Sequence, residues 1–178
     1  RTRPYFRVMM RSAPLVNQLI NLFWTALCCI PVVLYWVSAD PSWLWPFLAV
    51  SALGLLVSGR FYQLSRKRRF YESLGVKWVR RFVQDGELVS RFARRRMPDH
   101  RVIRNKAAGR SYLKTVAVYE RYHFLCFLFF LFSSVHAALG GRPGMALLLF
   151  ICNIVYNVYP ILLQQFNRIR LERLGNRR

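Results

Sequence analysis

Four long apolar stretches without Asp, Glu, Lys or Arg alternate with basic stretches along this chain. The uncharged stretches cover residues 12–39, 41–59, 122–141 and 143–167. A helix needs roughly 20 apolar residues to cross the hydrocarbon core of a bilayer, and all four stretches are near that length or above it. The pattern predicts four transmembrane helices, at residues 15–37, 43–64, 122–139 and 145–163.

The connections between these helices predict two hairpins. Ala39-Asp40-Pro41 and the segment 140–144, which contains three glycines and a proline, are short and rich in turn formers. The polar faces that helices of a soluble bundle carry are missing, so a buried soluble core is a poor alternative. We therefore expect an all-α membrane protein with four transmembrane helices in two hairpins. Its parts are an N-terminal hairpin (1–64), a basic, amphipathic cytoplasmic segment (65–118) and a C-terminal hairpin with a basic tail (119–178).

The distribution of basic residues predicts the orientation. Of the 28 Lys and Arg residues, 4 precede the first helix, 18 lie between Arg60 and Arg121, 1 is in the second hairpin tip and 5 follow from Arg168. Because such residues are retained on the cytoplasmic side, both termini and the central segment should be cytoplasmic, with both hairpin tips outside. A bacterial inner membrane is the natural setting.

The first apolar run and the cysteines each have a competing interpretation. Val37-Ser38-Ala39 is loosely like a signal-peptidase site, but the run is longer than the roughly 7–15 apolar residues of a signal core. The four cysteines all lie inside apolar runs without metal-ligand spacing, so we expect reduced, structural cysteines and no metal site.

The central segment has amphipathic character. From Phe70 onward, Leu74, Trp78 and Phe82 recur at helical spacing, which predicts one helix lying in the headgroup layer and ending at Asp85-Gly86. A second short helix is expected from Glu87, followed by an arginine-rich loop over residues 94–100 that includes His100.

Excess positive charge on this segment restricts the class of partner. Each basic residue near an anionic membrane contributes about 1 kcal/mol, so membrane lipid is the simplest partner, with a phosphate-bearing or acidic-carrier substrate as the alternative. Nucleic acid is not expected, because cytoplasmic segments of membrane proteins acquire such charge for topological reasons.

The start of the third predicted helix carries candidate chemistry. Glu120 and His123 are three residues apart and share a helix face at its cytoplasmic end. A carboxylate can orient an imidazole, and the imidazole can then take a proton from a hydroxyl nucleophile. The structural alternative is an interfacial pair in which Glu120 binds an arginine. His136, near the outer end of the same helix, is expected to be structural.

Polar residues on the fourth predicted helix supply candidate partners. Asn153, Asn157, Gln164 and Asn167 fall near one stripe, with Pro160 loosening the backbone. Amides within a membrane must be hydrogen-bonded, so the stripe either joins the helices or lines a groove for a polar lipid head. The chain has no phosphate-binding glycine loop, dinucleotide fingerprint or serine-nucleophile elbow.

Three elements of the sequence resemble a known family. They are Glu120-Arg121-Tyr122-His123, the stretch from Asn153 to Pro160, and the ending Gln164-Gln165-Phe166-Asn167-Arg168-Ile169-Arg170-Leu171. Together they resemble the bacterial glycosyl-4,4'-diaponeurosporenoate acyltransferase family, over residues 71–174. In the last element Gln165 stands where that family has Arg, and Phe166 replaces Tyr.

The resemblance implies transfer of a fatty acyl group from a cytoplasmic thioester to a hydroxyl of a membrane glycolipid, such as a glycosylated carotenoid. His123 would be the general base and Glu120 its orienting partner. The residues implied in binding substrate, or in stabilising the oxyanion, are Asn153, Asn157, Gln164, Asn167, Arg168 and Arg170. No bound cofactor is implied; acyl-coenzyme A or acyl carrier protein would be the donor.

Two rival functions stay open at the level of sequence. A non-enzymatic membrane subunit or scaffold would use the polar stripes to pack against a partner protein. The other is a different lipid-modifying transferase or a reductase acting on an isoprenoid; a reductase would need a cofactor motif that the sequence does not contain.

Overall fold

The computed structural model describes residues 4–82 and 106–176, and these residues form helices joined by short irregular segments, without strands. The α-helices are α1 (Pro4–Ser38), α2 (Leu44–Leu53), α3 (Arg68–Ser73), α4 (Val76–Val79), α5 (Lys106–Leu139), α6 (Pro143–Asn153) and α7 (Tyr159–Asn176). Short 3₁₀ turns flank α2 at Pro41–Trp43 and Gly54–Leu56. A π-helical turn at Ile154–Val158 joins α6 to α7, so that both form one continuous rod.

Three helical segments of the described chain are long and apolar enough to cross a membrane. They are Asn17–Ser38, Tyr112–Leu139 and Pro143–Arg173, with mean hydropathies of 1.9, 1.7 and 2.0. The predictions of an all-helical fold and of a first, third and fourth apolar helix are confirmed. α5 begins before Tyr122 and α7 continues past Leu163, because loss of the apolar run marks the edge of the membrane and does not stop a helix of good helix formers.

The second predicted transmembrane helix ends earlier than expected. The prediction placed its end at Leu64, but the helical chain stops at Leu56 and Val57 is extended, with φ −76° and ψ 127°. Ten α-helical and six 3₁₀ residues span about 27 Å, slightly less than the ~30 Å hydrocarbon core. The segment after Leu56 bonds to α7 instead of continuing the helix. That four helices cross the membrane therefore stays a prediction.

The amphipathic segment is also broken where one helix was predicted. Gly75 adopts φ 75°, a left-handed conformation that ends α3 and starts α4. Leu74, Trp78 and Phe82 are exposed, as a face directed to lipid requires, whereas Tyr71 and Val76 are buried. The predicted helix from Glu87 and the arginine-rich loop lie outside the described residues.

One apolar core joins α1, α5 and α6 near the hairpin tips. The Trp36 indole donates to Ser133 Oγ at 3.0 Å and stacks on His136, whose Nδ1 is hydrogen-bonded to the Tyr35 hydroxyl. Arg142 in the second tip donates to the Ser38 hydroxyl and carbonyl at the end of α1. These contacts place both tips at the same end of the bundle and give His136 the structural role predicted for it.

A second core lies at the opposite end, where α3 and α4 pack on α7. Its buried members are Tyr71, Val76, Leu162, Leu163, Phe166 and Ile169. The short helices thereby fix the segment after α2 against the last helix, and this contact shapes the polar site described next.

The position of both hairpin tips at one end of the bundle can be tested by labelling from one side of the membrane. Cysteine introduced at exposed Ser42 should label with an impermeant maleimide from the same side of intact vesicles as cysteine at Gly144, where a Cβ meets no atom within 4 Å. Cysteine at exposed Arg173 should label only after permeabilisation or from the opposite side. Labelling of Ser42→Cys and Arg173→Cys from the same side would contradict the arrangement.

Candidate functional site

A buried ion pair joins α5 to α7 at the margin of the apolar runs. Arg168 Nη1 lies 2.8 Å from Glu120 Oε2, and Nη2 lies 3.2 Å from Oε1, in a two-pronged arrangement. The Glu120 side chain has no exposed surface, and only 11% of the Arg168 side chain is exposed. Removing one partner of such a pair leaves a buried, uncompensated charge, at a cost of about 3–5 kcal/mol.

The irregular segment after Leu56 supplies two further hydrogen-bond acceptors to the Arg168 guanidinium. Arg168 Nη2 also donates to the Gly59 carbonyl and to Gln63 Oε1, both at 3.1 Å. The guanidinium thus holds α5, α7 and the segment 57–67 together, and its fixed planar fork suits three acceptors.

Gly59 is required at its position for steric reasons. A Cβ there would lie 2.6 Å from Glu120 Oε2 and 2.9 Å from Arg168 Nη1, closer than real Cβ contacts come. The backbone of segment 57–67 therefore approaches the ion pair as only glycine allows.

Gln165 connects the same segment to α3. Its Nε2 donates to the Tyr62 carbonyl at 3.2 Å, and its Oε1 accepts from the Tyr71 hydroxyl at 2.9 Å. Burial raises the pKa of the Tyr71 phenol, which keeps the proton that Gln165 accepts. Gln165 was not among the predicted site residues; the available signal was an amide side chain inside the uncharged run 143–167.

Tyr62 packs against the helix that carries the pair. Its ring stacks on Phe124 with centroids 4.1 Å apart and an interplanar angle of 7°. Burial, and secondarily the nearby Glu120 carboxylate, raise the pKa of the Tyr62 phenol, so it stays neutral beside the ion pair.

His123, one turn beyond Glu120, is held by a chain of amides. Its Nδ1 lies 3.4 Å from Asn157 Oδ1, Asn157 Nδ2 donates to Asn153 Oδ1 at 2.9 Å, and Asn153 Nδ2 donates to the Phe127 carbonyl at 3.1 Å. Asn153 and Asn157 are both buried. Asn157 belongs to the π-helical turn, a feature that often occurs at functional sites.

The direction of this chain fixes the imidazole tautomer. A backbone carbonyl can only accept, so Asn153 must turn its NH₂ toward Phe127 and its oxygen toward Asn157. Asn157 then presents its oxygen to His123, whose Nδ1 must carry the proton. The imidazole also has a hydrogen bond with the Tyr156 backbone. With the proton on Nδ1, the lone pair of the ring lies on Nε2, the nitrogen that can act as a base.

The predicted site residues therefore fall into two clusters. His123, Asn153 and Asn157 form the amide chain, while Glu120 and Arg168 form the ion pair. Among the described contacts none joins Glu120 to His123. The imidazole has Asn157 as its side-chain partner, and Glu120 has the arginine partner of the structural alternative.

The other predicted residues are more peripheral. Gln164 and Asn167 are half-buried, and Arg170 is exposed. In the part of the chain that the structure describes, no group of three His, Cys, Asp or Glu side chains could hold a metal ion. The four cysteines are free thiols.

Fold and site together define a helical, membrane-type protein with a buried ion pair and a histidine of fixed tautomer at one end of its bundle. The family model described as glycosyl-4,4'-diaponeurosporenoate acyltransferase matches residues 57–177. The chain belongs to this family, and the resemblance drawn from its sequence elements is confirmed. Comparison with curated proteins and with solved structures gives no match.

Steric crowding at Gly59 generates a stability prediction. Gly59→Ala should force the Glu120–Arg168 pair apart and lower the free energy of unfolding by about 3 kcal/mol, the cost of disrupting a buried pair. The thermal midpoint in detergent measures the effect. Gly144→Ala, in open space, is the matched control and should leave the midpoint unchanged or slightly higher. Equal midpoints for the two variants would contradict the role of Gly59.

Proposed function

We propose that this protein is a membrane-bound acyltransferase that moves a fatty acyl group from a cytoplasmic thioester to a hydroxyl of a membrane glycolipid or glycosylated carotenoid. Family membership supports acyl transfer in carotenoid glycolipid modification. The observation that carries the proposal is the His123–Asn157–Asn153 chain, which places the basic lone pair of a histidine near the membrane margin on Nε2.

His123 acts as the general base in this mechanism. Its Nε2 takes the proton of the acceptor hydroxyl while the hydroxyl oxygen attacks the thioester carbonyl carbon. The tetrahedral intermediate then collapses, the carbon–sulfur bond breaks, and the thiolate leaves with the proton that His123 returns. A new ester bond forms, and no covalent enzyme intermediate is needed.

Asn157 orients the base, in the place that the sequence assigned to Glu120. A neutral amide can hold an imidazole in one tautomer, as the asparagine of cysteine–histidine–asparagine sites does. Glu120 acts indirectly as a positioning residue, because its bond to Arg168 fixes α5 against α7 one turn from His123. Arg168 is engaged by this pair, so we assign it to the scaffold of the site.

The donor side of the site faces the basic surface. Acyl-coenzyme A and acyl carrier protein are anionic and cytoplasmic, and exposed Arg170, Arg121 and Arg60 surround the end of the bundle that carries the site. This assignment requires both termini to be cytoplasmic in a bacterial inner membrane, as the charge distribution predicts.

The acceptor side is the bilayer itself. Exposed Phe70, Leu74 and Trp78 near the site suit insertion at the acyl boundary, where an amphipathic lipid presents its sugar. Gln164 and Asn167 are half-buried amides on the same helix as the ion pair and are candidates for binding sugar hydroxyls. Asn153 and Asn157 support His123 instead.

Loss of the base is the direct test. Membranes from cells that carry the intact gene, no gene or His123→Ala should be compared by lipid mass spectrometry. A glycolipid should lose one fatty acyl mass without the gene and regain it only with the intact histidine.

Reaction rates in nanodiscs test the same residue in vitro. With acyl-coenzyme A or acyl carrier protein as donor, His123→Ala should lower the rate of acyl transfer at least a hundredfold. Asn157→Ala should lower it about tenfold to a hundredfold, because the ring is misplaced.

His136→Asn is the matched control, since His136 lies 13 residues further along α5, about 20 Å away. It should retain activity per folded molecule. Unchanged lipids in all strains, together with copurification of a stoichiometric partner protein, would overturn the enzyme proposal in favour of a non-enzymatic scaffold.

A further inference from the structure

A cluster of hydroxyl groups lies beside His123 and has no part in the mechanism above. Thr25 Oγ1 on α1 and the Tyr156 hydroxyl are 2.9 Å apart. The Tyr156 ring meets the His123 ring edge-to-face with centroids 5.7 Å apart, and the neighbouring Tyr122 ring contacts His123 at 5.3 Å. The Tyr122 and Tyr156 hydroxyls also interact.

These groups share one layer of the bundle. Thr25 is 13 residues from the end of α1, Tyr156 is 13 residues from the start of α6, and His123 is 16 residues from the end of α5. At 1.5 Å per residue, all three lie about 20–24 Å from the hairpin tips. The hydroxyls therefore sit at the same depth as the proposed base.

These hydroxyl groups carry one more proton than the hydrogen bonds among them use. The three hydroxyls of Thr25, Tyr122 and Tyr156 carry three protons, and the two hydrogen bonds that join them use two. A threonine within a helix commonly bonds a carbonyl of its own preceding turn, but Thr25 reaches across to another helix instead. If Thr25 and Tyr122 both donate to Tyr156, the phenolic proton is directed to a further acceptor. In this structure that neighbour is the Cys29 thiol, a weak acceptor that a carbonyl oxygen of the substrate would replace. In an apolar layer such a donor stabilises developing negative charge strongly.

We propose that Tyr156 is a catalytic residue that donates a hydrogen bond to the thioester carbonyl oxygen as it becomes an oxyanion, and that Thr25 positions it. The inference rests on the acyltransferase function proposed above. Tyr156 transfers no proton: the carbonyl oxygen gains negative charge when the acceptor oxygen attacks, and Tyr156 donates a hydrogen bond to it. The carbon–oxygen double bond then re-forms as the carbon–sulfur bond breaks and its electron pair leaves with sulfur.

This assignment brings α1 into the active site. The family match covers residues 57–177, whereas Thr25 belongs to a helix that ends at Ser38. The π-helical turn, which contains both Tyr156 and Asn157, then presents the oxyanion donor and the orienting amide from adjacent positions.

Removal of the phenolic proton is the first test. Tyr156→Phe keeps the ring contact with His123 and should lower kcat by about 10²–10³, with KM within about twofold. The assay uses wild-type protein in nanodiscs, acyl-coenzyme A or acyl carrier protein as donor, and glycolipid extract as acceptor. Tyr119→Phe, an exposed tyrosine on α5, is the matched control and should retain wild-type kcat.

Thr25 provides an independent second test. Thr25→Val should lower kcat about tenfold without changing KM, and Thr25→Ser, which keeps the hydroxyl, should restore it. A merely structural role would instead lower the thermal midpoint and would not separate kcat from KM.

The outcomes distinguish this inference from the function on which it rests. Active wild type, inactive His123→Ala and a Tyr156→Phe variant with wild-type kcat would overturn only the oxyanion role. Loss of kcat in Thr25→Ser equal to that in Thr25→Val would overturn the positioning role of the hydroxyl. An inactive wild type would overturn the acyltransferase proposal itself and this inference with it.

Discussion

The buried ion pair between Glu120 and Arg168 is the contact on which the rest of the site depends. Two charges at the edge of a membrane-embedded bundle must satisfy each other, since neither water nor lipid can do so there. The guanidinium accommodates the Glu120 carboxylate together with acceptors from segment 57–67. That segment must come close enough that only glycine fits at position 59. One pair therefore sets the register of α5 against α7 and ends the second apolar helix early.

Two sets of polar contacts, one turn of α5 apart, have different roles at this end of the bundle. The ion pair holds the helices, while the amide chain from the Phe127 carbonyl through Asn153 and Asn157 holds the imidazole. A neutral chain suits the second task because it fixes the tautomer without placing another charge in an apolar layer. The same separation explains why Glu120 and His123, neighbours on one helix face, have different partners. In our proposal Tyr156, positioned by Thr25, donates the hydrogen bond that stabilises the oxyanion.

Much of the fold followed from local pattern. Length and lack of charge predicted four apolar helices, of which the first, third and fourth are confirmed, and the sequence elements around Glu120 and Arg168 identified the family. The prediction that the second helix ends at Leu64 was wrong, because the backbone groups of Tyr62 and Leu64 bond to the Gln165 side chain on a distant helix. The single helix from Phe70 failed because Gly75 takes a left-handed conformation that hydrophobic spacing does not reveal.

The sequence by itself determined which helices are long and apolar enough to cross a membrane and which polar side chains lie on a shared stripe. Both depend on composition and on the 3.6-residue period of a helix. Only the tertiary structure decided their pairing. Glu120 and His123 are as close in sequence as a catalytic pair needs to be, but the partner of each lies on another helix, 48 and 34 residues away along the chain. A helical period places side chains on a face, whereas the rotation and depth of the opposing helix decide what each one meets.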